Sequence, residues 1–211
     1  MSEPIMPVFA IERHRLLTDG IGVTTLVGAY GCPLRCKYCI NPHAWNPDTL
    51  NKAPLLTPSA LYDKVKIDEL YFLSTGGGVT FGGGESLLHA NFIRAFREVC
   101  GPNWNLTLET SLNVPKEKLL TVLGAADNYI VDIKSMEPEI YRSYTGRPID
   151  RMLENLAILK EQVSPEHIFL RVPLIPGYSS KQKTRLSAEQ LGKMGFTQIE
   201  CFSYTVRENC G

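Results

Sequence analysis

No stretch of this chain approaches the ~20 consecutive apolar residues that a membrane-crossing helix needs. Neither sign of charge is in excess: 22 Lys and Arg balance 22 Asp and Glu, so no net field draws the chain to nucleic acid or to an anionic membrane surface. The first seven residues, Met1 to Pro7, contain no basic segment followed by an apolar stretch, and a secretory leader is not expected. There is no internal repeat and no low-complexity linker. Cysteine is scarce, six residues in 211, and three of the six crowd into one short stretch. That distribution suits a metal protein in a reducing cytoplasm better than a disulfide framework. What remains is one cytoplasmic domain spanning 1–211, long enough for a sizeable core.

The crowded cysteines are Cys32, Cys36 and Cys39, in Gly31-Cys-Pro-Leu-Arg-Cys-Lys-Tyr-Cys. Three thiolates so spaced can grip one metal centre from a single loop. Three is nevertheless the wrong number for a closed site, since structural zinc takes four ligands and a cubane cluster takes one cysteine per iron. The spacing therefore predicts a cluster with one iron left open, and open coordination positions are where metal chemistry occurs. A zinc site completed by His43, four residues beyond Cys39, is the competing reading. Cys100, Cys201 and Cys210 are scattered and read as ordinary thiols.

Short β-branched runs alternate with helical patterns. Strands are predicted at 22–28, 78–81, 105–109, 129–133, 167–172 and 197–204. Helices are predicted at 58–72, 86–100, 115–123, 137–144, 150–162 and 184–194. Six strand-then-helix units argue for an α/β fold with a parallel sheet, either doubly wound or an incomplete barrel. The unusual polar residues all fall at carboxyl ends of strands, where α/β enzymes build their sites. The cysteine loop follows the first strand and Gly82-Gly-Gly-Glu85 the second; Glu109 and Thr110 end the third. Asp132 and Lys134 close the fourth, Arg171 lies near the end of the fifth, and Thr205 and Arg207 follow the sixth. Glycines at 82–84 permit close approach to the backbone, and Glu85 offers a carboxylate there for an ammonium group. The plainer reading is a tight turn with Glu85 at a helix start.

The cysteine loop, with Tyr38 just before its last cysteine, resembles the radical S-adenosylmethionine (radical SAM) enzymes. Further segments resemble the activating enzymes of glycyl radical enzymes, pyruvate formate-lyase activase among them. These are Thr18-Asp-Gly-Ile-Gly22, Gly76-Gly-Gly-Val-Thr-Phe81, Val131-Asp-Ile-Lys134, Tyr144-Thr-Gly146, Glu154-Asn-Leu156 and Arg171-Val-Pro-Leu-Ile-Pro-Gly-Tyr178. The resemblance implies a partial (β/α)6 TIM-like barrel carrying one [4Fe–4S] cluster on Cys32, Cys36 and Cys39. The open iron would be chelated by S-adenosylmethionine. Gly83, Gly84 and Glu85 would hold the methionine ammonium, and the backbone around Tyr38 would meet the adenine. Glu109, Thr110 and Asp132 match positions that bind a monovalent cation; Lys134 and Arg171 match further cofactor contacts. Reductive cleavage would give a 5′-deoxyadenosyl radical that takes a hydrogen atom from a glycine of a partner glycyl radical enzyme. Another protein, a peptide or a small molecule would be the alternative substrate, and a non-enzymatic zinc or iron–sulfur module the alternative class. Reduced flavodoxin or ferredoxin would be the electron donor. The chain departs from the family pattern at Asp19-Gly-Ile-Gly-Val-Thr24, at Glu109 where aspartate is common, and at Thr205 where a histidine is expected. It also lacks room for a ferredoxin-like insert and ends soon after the sixth strand.

Overall fold

The computed structural model describes residues 3–16 and 18–204. In chain order the strands are β1 (Met6–Leu16), β2 (Val23–Ala29), β3 (Leu55–Leu56), β4 (Gly78–Gly83), β5 (Asn105–Thr110), β6 (Asn128–Asp132), β7 (Ile168–Leu174) and β8 (Gln198–Ser203). The helices are α1 (Pro47–Leu50), α2 (Pro58–Val65), α3 (Glu69–Thr75), α4 (Ala90–Cys100), α5 (Lys116–Val122), α6 (Pro138–Thr145), α7 (Asp150–Gln162) and α8 (Lys181–Lys193).

All eight strands form one sheet in the order β3-β1-β2-β4-β5-β6-β7-β8. From β2 to β8 every pairing is parallel and each new strand adds on the same side. A doubly wound sheet reverses direction at a switch point. This one does not reverse, so it winds as a barrel does, and with β8 and β3 at its two edges it stays open. The expected six-stranded parallel core is present. The antiparallel strands β1 and β3 were not expected: β1 pairs with β2 and β3 with β1. The charged second half of β1, Glu12 to Arg15, hides its strand character from a hydrophobic pattern.

Strand alternation sorts the side chains. Val79, Phe81, Leu106, Leu108, Val131, Ile168, Leu170 and Val172 are at most 1% exposed and belong to the apolar core under the helices. Each such burial stabilises by about 1.5–3 kcal/mol. The other face is polar and glycine-rich: Gly28 pairs with Gly82, and Asp132 stands directly opposite Arg171. That face lines the inside of the half-barrel.

The helices begin and end where local chemistry dictates. Thr57 caps α2 by accepting from the Ala60 N–H, with Pro58 in the first turn, and α6 stops at Gly146 with φ +74°. One expected helix, 58–72, is broken by a tight turn at Lys66–Asp68. The break follows from Asp68, whose fully buried carboxylate accepts from Arg13 and from the Thr25 hydroxyl and contacts His14. The expected helix 86–100 likewise starts as a single tighter turn, Ser86–His89, before α4. The short helix α1 was not expected; the remaining differences among the expected elements are shifts of one to three residues at their ends.

Candidate active site at the carboxyl edge of the sheet

The cysteine loop is held by backbone bonds on three sides. Gly31 N–H donates to Ala44 C=O at 2.6 Å and closes the loop on itself. On the sheet side, Gly84 N–H donates to Ala29 C=O at 2.9 Å and Glu85 N–H to Gly31 C=O at 2.7 Å. On the helix side, the Arg35 and Lys37 N–H groups reach Thr145 and Tyr144 C=O at 2.8 and 3.1 Å, satisfying carbonyls that the end of α6 leaves free. The Asn41 side chain adds a bond to Gly83 C=O at 3.2 Å.

The glycine turn owes its composition first to packing. Gly83 has φ +90°, and a Cβ there would lie 2.6 Å from the Phe9 ring. A Cβ on Gly84 would run into the Gly31 carbonyl oxygen, so only glycine lets turn and cysteine loop meet.

A cavity of about 490 Å³ opens above this junction. Cys32, Cys36, Cys39, Gly83, Gly84, Glu109, Thr110, Asp132, Lys134 and Arg171 all line it. Two expected residues do not. The Glu85 carboxylate is fully buried beneath, accepting from the Leu87 N–H (3.2 Å), the Thr110 hydroxyl (2.6 Å), and the Ser111 N–H and hydroxyl (2.9 and 2.6 Å). With its lone pairs so occupied it supports Thr110 and Ser111 and presents no free carboxylate to an ammonium group. Tyr38 packs among the rings of Tyr144, Tyr178 and Tyr204, centroids 5.9–6.4 Å away, and its carbonyl accepts the Tyr204 hydroxyl.

Several lining residues were missed from sequence: Phe9, Arg15, Asp19, Trp45, Ser111, Tyr144 and Tyr204. The rule that strand ends build the site would have found Ser111 and Tyr204. Arg15 and Asp19 form an ion pair across the unexpected β1 turn, so no parallel-strand rule reaches them. Thr205, Arg207 and Cys210 lie outside the described residues. A second cavity of about 400 Å³ lies between β7, β8 and the 18–21 turn and contains none of the cysteines.

The cavity is strongly polarised. Lys134 Nζ donates to Asp132 at 2.9 Å, and Arg171 Nη1 to Glu109 at 3.1 Å. Burial works against the Lys134 charge, but Asp132, then Cys36, outweigh it and hold its pKa above the lysine range. Burial, then the neighbouring Asp132 charge, push Glu109 up to about 7 despite Arg171. Burial and then Glu85 push the Cys32 thiol up to about 12, and burial raises Cys36. Bare thiolates are therefore disfavoured, and a cationic metal centre is what would stabilise them. Among the described residues no three His, Cys, Asp or Glu side chains converge closely enough for one ion. Zinc needs its sulfurs about 2.3 Å from a single point, whereas a cluster with one cysteine per iron spreads them apart. Three thiols around one cavity match the count that a cubane cluster with one open iron takes. His43 does not complete a zinc site: it packs edge-on against Phe9 at 4.6 Å and lies outside the cavity lining.

An open parallel half-barrel with three cysteines on the loop after its first parallel strand defines a class, and comparison with known proteins agrees with it. The family model described as the radical SAM superfamily matches residues 26–184. The indoleacetate decarboxylase activating enzyme of Tractidigestivibacter scatoligenes is 33% identical over 78% of this chain and 72% of its own length. The pyruvate formate-lyase 2-activating enzyme of Escherichia coli is 28% identical over 96% of this chain and 78% of its own. The fold is shared with Streptococcus suis SuiB, with a TM-score of 0.62 at 13% identity over 85% of this chain and 39% of that one. The chain belongs to the radical SAM superfamily and, within it, to the activating enzymes of glycyl radical enzymes. That membership implies a [4Fe–4S] cluster and S-adenosylmethionine.

Proposed function

We propose that this protein activates a partner glycyl radical enzyme, with Cys32, Cys36 and Cys39 holding one cluster in the cavity described above. The observation that carries the site assignment is the meeting of these three cysteines with Glu109, Thr110, Asp132, Lys134 and Arg171 around one cavity. When bound, the cluster and S-adenosylmethionine supply an electron and a 5′-deoxyadenosyl radical, the species that takes a hydrogen atom from a glycine Cα.

The chain's own residues bind and orient. Lys134 and Arg171 provide positive charge for a carboxylate. Glu109, Asp132 and Asp19 provide negative charge for an ammonium and a sulfonium. Gly83 and Gly84 allow close backbone approach, and Glu85 fixes Thr110 and Ser111 from below. Buried Leu34 and the Tyr38, Tyr144 and Tyr178 rings limit access of water on the side of α6.

A monovalent cation at Glu109, Thr110 and Asp132 would share two of these carboxylates with ion pairs already present. Glu109 and Asp132, two of its three expected ligands, are paired to Arg171 and Lys134, and the longer arm of glutamate reaches the guanidinium. We also propose residues 1–211 as one radical SAM unit without a second cluster, working in an oxygen-poor cytoplasm. Among the described residues no helix is long and apolar enough to cross a membrane.

The test is anaerobic. The protein is reconstituted with iron and sulfide, reduced with dithionite and given S-adenosylmethionine. Formation of 5′-deoxyadenosine that is lost in Cys36→Ala supports the cluster assignment; undiminished formation in that variant refutes it. Electron paramagnetic resonance of the mixture with a candidate partner then reads the glycyl radical directly. A peptide or small-molecule substrate would leave that signal absent while 5′-deoxyadenosine accumulates.

A further inference from the structure

Among the described residues three buried side-chain atoms have no hydrogen-bond partner: Thr24 Oγ1, Asn155 Oδ1 and Trp45 Nε1. Thr24 and Asn155 lie outside the lining of both cavities. Trp45 lines the cavity that holds the three cysteines. An indole N–H is a donor and nothing else, so only an acceptor can satisfy it. A buried donor left without one is costly, and in native folds it is rare.

The neighbours of Trp45 fix its ring in place. It ends the single tight turn Pro42–Trp45 that follows the cysteine loop. Immediately before it, Ala44 C=O takes the Gly31 N–H at 2.6 Å; immediately after it, Asn46 N–H donates to His43 C=O at 3.2 Å. The Arg35 guanidinium, tied to Cys32 and Leu34 C=O at 2.7 Å each, lies over the indole at 4.7 Å. That cation holds the ring face beside the start of the cysteine loop. Trp104, the other tryptophan, shows the ordinary arrangement, with its Nε1 donating to Glu69 at 3.1 Å.

The acceptors of the cavity wall are already engaged. Glu12 and Asp19 pair with Arg15, Asp132 with Lys134 and Glu109 with Arg171. No cysteine Sγ accepts from the indole. A cluster on the three cysteines brings further acceptors, its inorganic sulfides, into the same cavity, and hydrogen bonds to those sulfurs help to set its potential.

We infer that Trp45 Nε1 donates a hydrogen bond to a sulfur of the cluster held by Cys32, Cys36 and Cys39, and so raises its reduction potential. The inference rests on the cluster reading above. Reduction adds negative charge to the sulfurs, so a donor stabilises the reduced cluster more than the oxidised one. No covalent bond changes, and the proton stays on the indole nitrogen.

The experiment uses the full-length protein, reconstituted with iron and sulfide and kept free of S-adenosylmethionine. Electron paramagnetic resonance during a redox titration reads the midpoint potential of the parent and of Trp45→Phe, which keeps an aromatic ring beside Arg35 and loses the N–H. One neutral hydrogen bond should change the one-electron equilibrium about three- to tenfold. At ~59 mV per tenfold, the variant's potential should fall by about 30–60 mV. A second readout needs only the parent: with tryptophan isotopically labelled at the indole nitrogen, pulsed resonance should show that nitrogen coupled to the reduced cluster. Trp104 is absent from the cavity lining and should add no coupling. Equal potentials in parent and variant overturn the inference, and so does a parent without nitrogen coupling, which decides the matter even where the variant takes up no iron. A coupling that arises only once S-adenosylmethionine is added also overturns it, by assigning the donor to that molecule. A reconstituted parent with no iron–sulfur signal at all would overturn the cluster reading itself, and the inference with it.

Discussion

Glu85→Gln alters one atom of a buried side chain and leaves its shape nearly intact. Oε1 of Glu85 accepts from the Leu87 N–H and the Thr110 hydroxyl, Oε2 from the Ser111 N–H and hydroxyl. The hydroxyls can rotate to new partners, but the two backbone N–H groups cannot. Whichever oxygen becomes an amide, one backbone N–H is left facing another donor, at a cost of about 1–3 kcal/mol. Glutamine also removes a charge that burial disfavours, and burial holds the Glu85 pKa above the ordinary carboxylate range. A carboxyl raised in the folded state binds its proton more tightly there than when unfolded. Its contribution to stability therefore falls as pH rises above the unfolded value. The deficit of the variant should thus be largest in mild acid and shrink towards alkaline pH. A deficit of about 2 kcal/mol corresponds to about 4–8 °C in melting temperature for a chain of this length. Scanning calorimetry of the cofactor-free protein across pH measures it. An unchanged melting temperature, or a deficit that widens with pH, would refute the reasoning. Because Thr110 and Ser111 line the cavity, S-adenosylmethionine affinity should fall together with stability.

Asp68→Asn should cost about 2–4 kcal/mol in urea unfolding, because it leaves buried donors from Arg13 and Thr25 badly matched. Arg13 holds the Asp68 pKa low, so the parent's advantage is present above the ordinary aspartate value and disappears as pH falls through the folded value. Glu109→Gln should flatten the stability profile between the ordinary value of 4.5 and the folded value of about 7, where the parent loses stability as pH rises. The relative gain above that window should be about 1–3 kcal/mol by calorimetry, and no gain there would contradict the assignment. Gly84→Ala should cost about 2 kcal/mol or more by forcing apart the glycine turn and the Gly31 carbonyl. Iron bound after reconstitution should drop with it; full iron loading at an unchanged melting temperature would show that the turn can yield.

The six parallel strands and the edge that carries the site were legible because each strand is a short apolar run ending in an uncommon polar residue. Asp132 and Arg171 could be assigned to one edge from sequence, although their direct pairing across β6 and β7 appears only with the register. What could not be read were the features set by distant contacts. The break between α2 and α3 exists because Asp68 pairs with Arg13, 55 positions away. β1 escaped notice because its outer half is charged, and Arg15 and Asp19 escaped with it. Glu85 was expected to hold the methionine ammonium, and the backbone around Tyr38 to meet the adenine. Their positions depend on which side of the chain turns inward, and that is decided by Ser111 and by the tyrosine cluster.

The glycine turn shows why a motif and its chemistry need separating. Gly84 is required by the Gly31 carbonyl, and Gly83 by its φ and by the Phe9 ring, before any ligand is considered. The same crowding brings Glu85 N–H onto Gly31 C=O and so fixes where Cys32 begins. Packing and function are therefore not rival explanations of these residues. Backbone contact between turn and loop brings the thiols and the strand-end charges to one cavity, and the chemistry follows from that geometry.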